Sequence, residues 1–226
     1  MNGVLKNIRI IEQNKKQYKI VFPPESKILV ESIMFLNVNG MTTDKTFHSI
    51  SFYANTIKML PDFLKTANKY FLYNIAIQMV YTMNIQLSYL IDNGYSFTTF
   101  NLDDIIVLND ETFICINPLY ISKLDNRKRI KIIYPFKKDA FISPELNAIT
   151  YLPYLTSYKS IYYSLGLLTV YVLFNYKDNN NENVNCKINI KPQIKDKLKS
   201  IENTKLYWCL YRVLQLDQKN RIFVFL

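Results

Sequence analysis

From Tyr70 to Ile91 the chain runs for 22 residues without one charged side chain. Within that stretch Leu72, Ile75, Met79, Val80, Met83, Leu87 and Leu90 recur at spacings of three and four, which predicts a long helix. Asn74, Gln78, Asn84 and Gln86 lie among them, and amide side chains are costly in hydrocarbon. A second apolar stretch, Tyr162 to Tyr176, is shorter than the roughly 20 residues a membrane span requires. No membrane span is expected. Both stretches read as buried helices, and a buried helix of this length needs a large body packed around it.

The segments before it have a different pattern. Lys6 to Ile11, Gln17 to Phe22, Lys27 to Leu36 and Thr46 to Tyr53 are rich in Ile, Val, Phe and Tyr, with turn signals between them, and read as strands. After about residue 54 helical patterns take over: Asp62 to Thr66 behind Pro61, then Tyr70 to Ile91 ending at Asp92-Asn93-Gly94. Ile105 to Leu108 and Phe113 to Ile116 flank Asn109-Asp110-Glu111 as a hairpin. Ile121 to Lys138 reads as a basic, irregular segment, and Asp178 to Asn185 as a polar loop. Helices are expected over Ser160 to Asn175, Gln193 to Ile201 and Thr204 to Leu216. The expected class is α+β: a β-rich part over residues 1–54 and a mainly helical part over 55–226.

Composition narrows the chemistry. With only four glycines, few phosphate-cradling loops can exist. Cys115, Cys186 and Cys209 are too far apart for a disulfide framework or a thiolate metal site, so a reducing compartment such as the cytoplasm is expected. The single histidine, His48, excludes most zinc constellations and most Ser-His or Cys-His arrangements. The first 16 residues hold no apolar core of signal-peptide length. A net charge of +10 fits acidic partners. It also fits the coding bias of an AT-rich genome, as does the richness in Ile, Asn, Lys and Tyr. Large DNA viruses, protists and intracellular parasites have such genomes.

The segment from Leu87 to Leu119 resembles the catalytic-loop region of protein kinases. In that family a long helix ends in Gly, and two residues later a loop reads His-Arg-Asp-Leu-Lys-Pro-Glu-Asn before an Ile-Leu-Leu strand. Here Gly94, Tyr95 and Ser96 precede Phe97-Thr98-Thr99-Phe100-Asn101-Leu102-Asp103-Asp104 and Ile105-Ile106-Val107-Leu108, with no gap. After the hairpin, Asn117-Pro118-Leu119 stands where the family has Asp-Phe-Gly. Ser143-Pro144-Glu145 resembles Ala-Pro-Glu, and Tyr162-Tyr163-Ser164-Leu165-Gly166 resembles the Val-Trp-Ser-Leu-Gly of a buried central helix. Leu216 to Arg221 resembles the late Asp-Pro-x-x-Arg, and Leu60 to Lys65 the segment after the hinge. The motifs keep the family's order from about residue 45 to the end.

The resemblance implies a kinase-like fold with a reduced β-rich N-lobe and a mainly helical C-lobe. It also implies that Glu145 and Arg221 form a buried ion pair. The departures imply that phosphoryl transfer is lost. Thr99 replaces the catalytic Asp, Asp104 the metal-binding Asn, and Asn117 the metal-binding Asp. There is no glycine-rich loop and no clear strand-borne Lys in a Val-Ala-x-Lys setting, and transfer depends on those parts. No cofactor or metal is expected. Asp103 and Asp104 with Asn117 could in principle hold a divalent cation. The alternative is that Asp103 faces water and Asp104 bonds within the loop.

Arg127, Lys128, Arg129 and Lys131 form a basic cluster, with Lys123, Lys137 and Lys138 nearby. Beside Tyr120, Tyr134 and Phe136 it could bind nucleic acid; it could equally be a solvated loop or dock an acidic protein. Trp208 and Cys209 are expected in the core, and Ile222 to Leu226 packed or at an interface. The leading expectation is a pseudokinase serving as a protein-binding or structural scaffold, with a viral virion or host-interaction protein as its setting. An atypical phosphotransferase and a nucleic-acid-binding protein are the alternatives.

Overall fold

Residues 8–135, 141–174 and 196–223 are described by the structure, a computed structural model. Strand β1 (Arg9–Asn14) turns at Lys16 into β2 (Gln17–Val21), and β2 pairs antiparallel with β4 (Ser49–Tyr53), whose other side takes the short β3 (Thr42–Thr43). The sheet order is β1-β2-β4-β3, all antiparallel. Pairing of Ile20 with Ile50 and Tyr18 with Phe52 places Ile20, Ile50 and Phe52 on the buried face.

The third expected strand is a helix. Residues Lys27–Met34 form α1, entered through a short 3-10 turn at Pro24–Ser26. The β-branched residues there favoured a strand by propensity, but Leu29, Val30 and Ile33 share one helical face and are buried. Proline in the first turn supplied a start signal that composition obscured. Ser32, also buried, donates to the Leu29 carbonyl and accepts from Gln86 of the long helix.

Beyond β4, β5 (Ile57–Met59) leads into α2 (Leu60–Thr66) and then α3 (Leu72–Asp92). Gly94, at a φ of 79°, reverses the chain into β6 (Tyr95–Phe97). Strands β7 (Ile105–Leu108) and β8 (Thr112–Cys115) form the hairpin, and β5 adds to β7 to give a sheet of order β5-β7-β8. Asn109 and Asp110 both have positive φ, as a tight hairpin turn demands.

Helix α3 closes the edge that β8 would otherwise expose. Thr82 Oγ1 accepts the N–H of Phe113 at 3.2 Å. One helical turn on, the Gln86 amide accepts the N–H of Cys115 at 3.0 Å and donates to its carbonyl at 2.8 Å. Side chains at i and i+4 thus stand in for a neighbouring strand. This is why a buried helix carries Gln at that place.

Strand β9 (Ile121–Lys123) pairs with β6, and β10 (Arg129–Ile132) pairs with β11 (Tyr154–Ser157). The expected irregular basic segment is therefore ordered over its described part: a Leu124–Ile130 bridge joins β9 to β10 around a turn at residues 125–128. Helix α4 (Pro144–Asn147) is one turn; α5 (Ser160–Phe174) is almost wholly buried; α6 (Lys205–Val213) follows, capped by the Thr204 hydroxyl. Within α5, Ser164 and Thr169 donate to carbonyls one turn back, so polar residues are tolerated in the core. Gly166 lets α6 approach: a Cβ there would lie 2.8 Å from Val213 Cγ2.

One apolar cluster runs from Ile20 and Ile50 through Leu60 and Leu87 to Leu168 and Val213, and so is continuous across residue 54. A small satellite of Ile130, Ile132 and Leu146 lies under the β10–β11 ribbon. The molecule is an α+β protein with small antiparallel sheets around buried helices. Among the described residues no helix is long and apolar enough to cross a membrane. Asp178 to Asn185, Lys137, Lys138, Phe136, Cys186 and Val224 to Leu226 lie outside the described residues.

Candidate functional site

Two polar clusters are built where the motifs stand. The first is formed by Asp104 and Asn117, which like Thr99 are 1% exposed. Asp104 closes a 3-10 turn (Leu102–Asp104) that enters β7, while Asn117 opens another (Pro118–Tyr120) that leaves β8. The hairpin between them brings their side chains together. Asn117 Nδ2 donates to Asp104 Oδ1 at 2.9 Å, and Asn117 Oδ1 accepts the N–H of Leu119 at 3.0 Å. Both bonds would be lost if the amide were turned over, so the orientation is set by its partners.

This arrangement points the amide's donor, not its oxygen, at the carboxylate. A hard cation shared by Asp104 and Asn117 would need that oxygen. Asp103 faces solvent, so the two acids do not converge. Among the described residues no group of three His, Cys, Asp or Glu side chains could hold a metal ion. Thr99 is neutral, and its hydroxyl donates to the Phe100 carbonyl at 3.5 Å. Burial, reinforced by the nearby Asp104 charge, pushes the Cys115 thiol far up from its ordinary range. No nucleophile or base emerges here.

The second cluster is centred on Arg221, which is 0% exposed. The structure brings it to Glu145, 76 positions earlier in the chain. The pair is bidentate, with Nη1–Oε1 at 2.5 Å and Nη2–Oε2 at 2.8 Å. Arg221 Nε donates to the Gln215 carbonyl at 2.7 Å, Nη2 to Leu216 at 3.0 Å and Nη1 to Lys159 at 3.4 Å. A guanidinium has five N–H donors, and all five are used. Its plane also lies 4.8 Å from the centroid of the Tyr163 ring. Burial raises the Tyr163 phenol, opposed by the positive charge beside it. The backbone acceptors and Tyr163 were not legible in sequence, because carbonyls carry no residue signature.

Arg127, Lys128 and Lys131 are exposed on the β9–β10 ribbon. Arg129 is not free: it pairs with Asp125 at 2.7 Å, and Asp125 also accepts the backbone N–H of Arg127 and Arg129. Those bonds hold the Asp125 carboxyl below its usual range. Tyr120 packs against the main core, whereas Tyr134 is 74% exposed. Trp208 differs from its expected place. Cys209 is buried, but Trp208, one residue earlier on an amphipathic helix, is 49% exposed. It packs edge-on against Tyr207 and Tyr211 in a half-exposed group of rings. Of the apolar tail, Ile222 is exposed and Phe223 stacks near Tyr162, 5.3 Å between ring centres. His48 lies in the turn before β4, where its N–H donates to Asp44.

The chain is thus an α+β protein with a fully bonded arginine hub and a buried amide–carboxylate clasp. No protein-family model matches the chain, and no curated protein matches it in sequence.

Proposed function

We propose that this chain is a catalytically inactive, kinase-like module, a pseudokinase, that works as a protein-binding or structural scaffold. The observation that carries the reading is the contrast between the two clusters. At the family's ion-pair positions, Arg221 uses all five of its N–H donors, two of them on the carboxylate of Glu145. Those at the catalytic and metal-binding positions, Thr99, Asp104 and Asn117, are buried and bonded inward.

The order of elements supports the same reading. A strand (β2) precedes a helix (α1), and a long helix ends in Gly before the loop and the hairpin. Pro144 and Glu145 begin a one-turn helix, Tyr162 to Gly166 lie in the buried α5, and Asp217 to Arg221 follow α6. Kinases pair a strand lysine with a glutamate on the next helix. Here Lys19 is on β2 and Glu31 on α1, but Glu31 pairs with Lys27 of its own helix at 3.8 Å. Among the described residues, a pair between a strand lysine and Glu31 is thus not made.

A scaffold needs a surface for a partner. The Tyr207, Trp208 and Tyr211 group has the ring-rich composition of energetically dominant interface residues. Thermal unfolding with and without ATP and magnesium tests the proposal. No shift at millimolar nucleotide is expected. A magnesium-dependent shift would overturn it in favour of an atypical phosphotransferase; about 2.7 kcal/mol corresponds to a hundredfold excess over Kd.

A further inference from the structure

The ribbon formed by β9, β10 and β11 carries a surface that the scaffold reading does not use. Leu124 bridges Ile130, so in antiparallel register Lys123 stands across from Lys131, and both project away from the satellite core that Ile130 occupies. Lys131 in turn faces Leu155 of β11, which is 46% exposed. Arg127 and Lys128 occupy the turn at one end. At the other end, Tyr134 beyond β10 and Tyr151 before β11 are 74% and 66% exposed. Asp125 is the acid of this ribbon, and it is tied to Arg129 and to the turn's backbone.

Positive side chains along the turn and strands, and exposed rings at the far end, are therefore carried by one ordered ribbon, where Tyr151 packs edge-on against Tyr154 at 5.9 Å between ring centres. From Arg127 to Tyr134 an extended chain spans roughly 20 Å, at about 3.3 Å per residue, enough for several nucleotides. Among the described residues no ion pair is formed by Lys123, Arg127, Lys128 or Lys131. The bonds of Asp125 hold the turn in place before any ligand arrives, which lowers the entropy cost of binding.

We infer that this face binds single-stranded nucleic acid, with Lys123, Arg127, Lys128 and Lys131 on phosphates and Tyr134 and Tyr151 stacking on bases. A purely acidic protein segment would use the charges alone and would not draw on the exposed ring of Tyr134 or the free face of Tyr151. Base stacking on aromatic rings uses both, and does so without sequence preference. The inference is independent of the kinase-like reading, because no residue of either buried cluster takes part.

The test is fluorescence anisotropy with labelled oligothymidylate of about 16 nucleotides, the upper site size of one single-strand-binding domain, titrated at several salt concentrations. Binding should weaken with salt. Replacing Lys123, Arg127, Lys128 and Lys131 with Ala should lower the slope of log K against log salt by about 0.7 per lost phosphate contact. Tyr134→Ala and Tyr151→Ala should each weaken binding about fivefold or more with the slope unchanged. All six positions are solvent-exposed, and unfolding midpoints would show that the variants remain folded. A Lys205→Ala, Arg212→Ala variant on α6 serves as the control for net charge. Absence of binding would overturn the inference. So would equal weakening by the control, or tyrosine variants without effect while poly-glutamate competes as well as the oligonucleotide; the last outcome would assign the face to an acidic protein.

Discussion

The Arg221 hub and the Asp104–Asn117 clasp are both buried polar clusters, yet they differ in what they are built to do. In the hub a cation meets an anion, and five donors meet five acceptors drawn from Glu145 and three backbone carbonyls. It links α4, the start of α5 and the turn after α6, segments far apart in sequence. In the clasp a neutral amide supplies one N–H to a carboxylate and one oxygen to its own loop. The hub has the charge complementarity that makes a buried ion pair costly to break. The clasp, between Asn117 and Asp104, has a directional amide–carboxylate bond in place of a bidentate ion pair. Of the two neighbouring acids, Asp104 is turned inward to Asn117 and Asp103 outward to solvent.

Breaking the hub should have the largest effect. Arg221→Ala leaves Glu145 and three carbonyls without their donor, and a loss of roughly 3–5 kcal/mol in urea unfolding is expected. Glu145→Ala should lose a comparable amount, and the double variant less than the sum, since each single change strands the other partner. Additive losses would mean that the two residues act separately.

A smaller loss is expected from restoring the acid in the clasp. Asn117→Asp removes the N–H that Asp104 accepts and sets two carboxylates together in a buried place, which forces one to stay protonated. A destabilisation of about 1–3 kcal/mol should follow from the lost bond. Magnesium should not reverse it. Recovery of the melting temperature by magnesium would show that the clasp can open into a cation site, and would erase the contrast with the hub.

The smallest effect belongs to a half-buried carboxylate near the surface that accepts four bonds. Asp44 accepts from Thr46, His48 and Ser49, and these bonds hold its carboxyl down to about 2 from an ordinary 3.8. A depressed acid contributes stability above its unfolded value and loses it as pH falls through the folded one. The advantage of the native protein over Asp44→Asn should therefore be full above pH 3.8 and fade toward pH 2. A stability difference that stays constant across that window would assign it to packing instead. The comparison would show how little a bonded charge contributes near the surface relative to the buried hub.

Several features were legible before any coordinates. The long uncharged stretch is α3, its end at Gly94 is a reversal, and the hairpin around Asn109 and Asp110 is displaced by one residue. Each of these carries its own local signal: a period of three to four, a glycine at positive φ, a pair of turn residues. Other features were not. Lys27–Met34 is a helix because its apolar face meets α3 and β4, and β propensity argued the other way. Trp208 is at the surface because α6 turns Cys209 and Leu210 inward. The basic segment is a ribbon because Leu124, Ile130 and Ile132 find a small core of their own. Alternation within a run of charges was too short to reveal it.

Composition and pattern thus determined the class of the molecule: strands before a buried helical body, sparse glycine, little metal-binding chemistry and an excess of positive charge. These follow from properties of single residues and their near neighbours. The tertiary structure alone decided which polar residues are spent on holding the fold. Gln86 closes the edge of β8, Asn117 turns its donor toward Asp104, and Arg221 collects carbonyls that no sequence motif marks. A hydrogen bond is a matter of direction as well as identity, and direction exists only once the chain has folded.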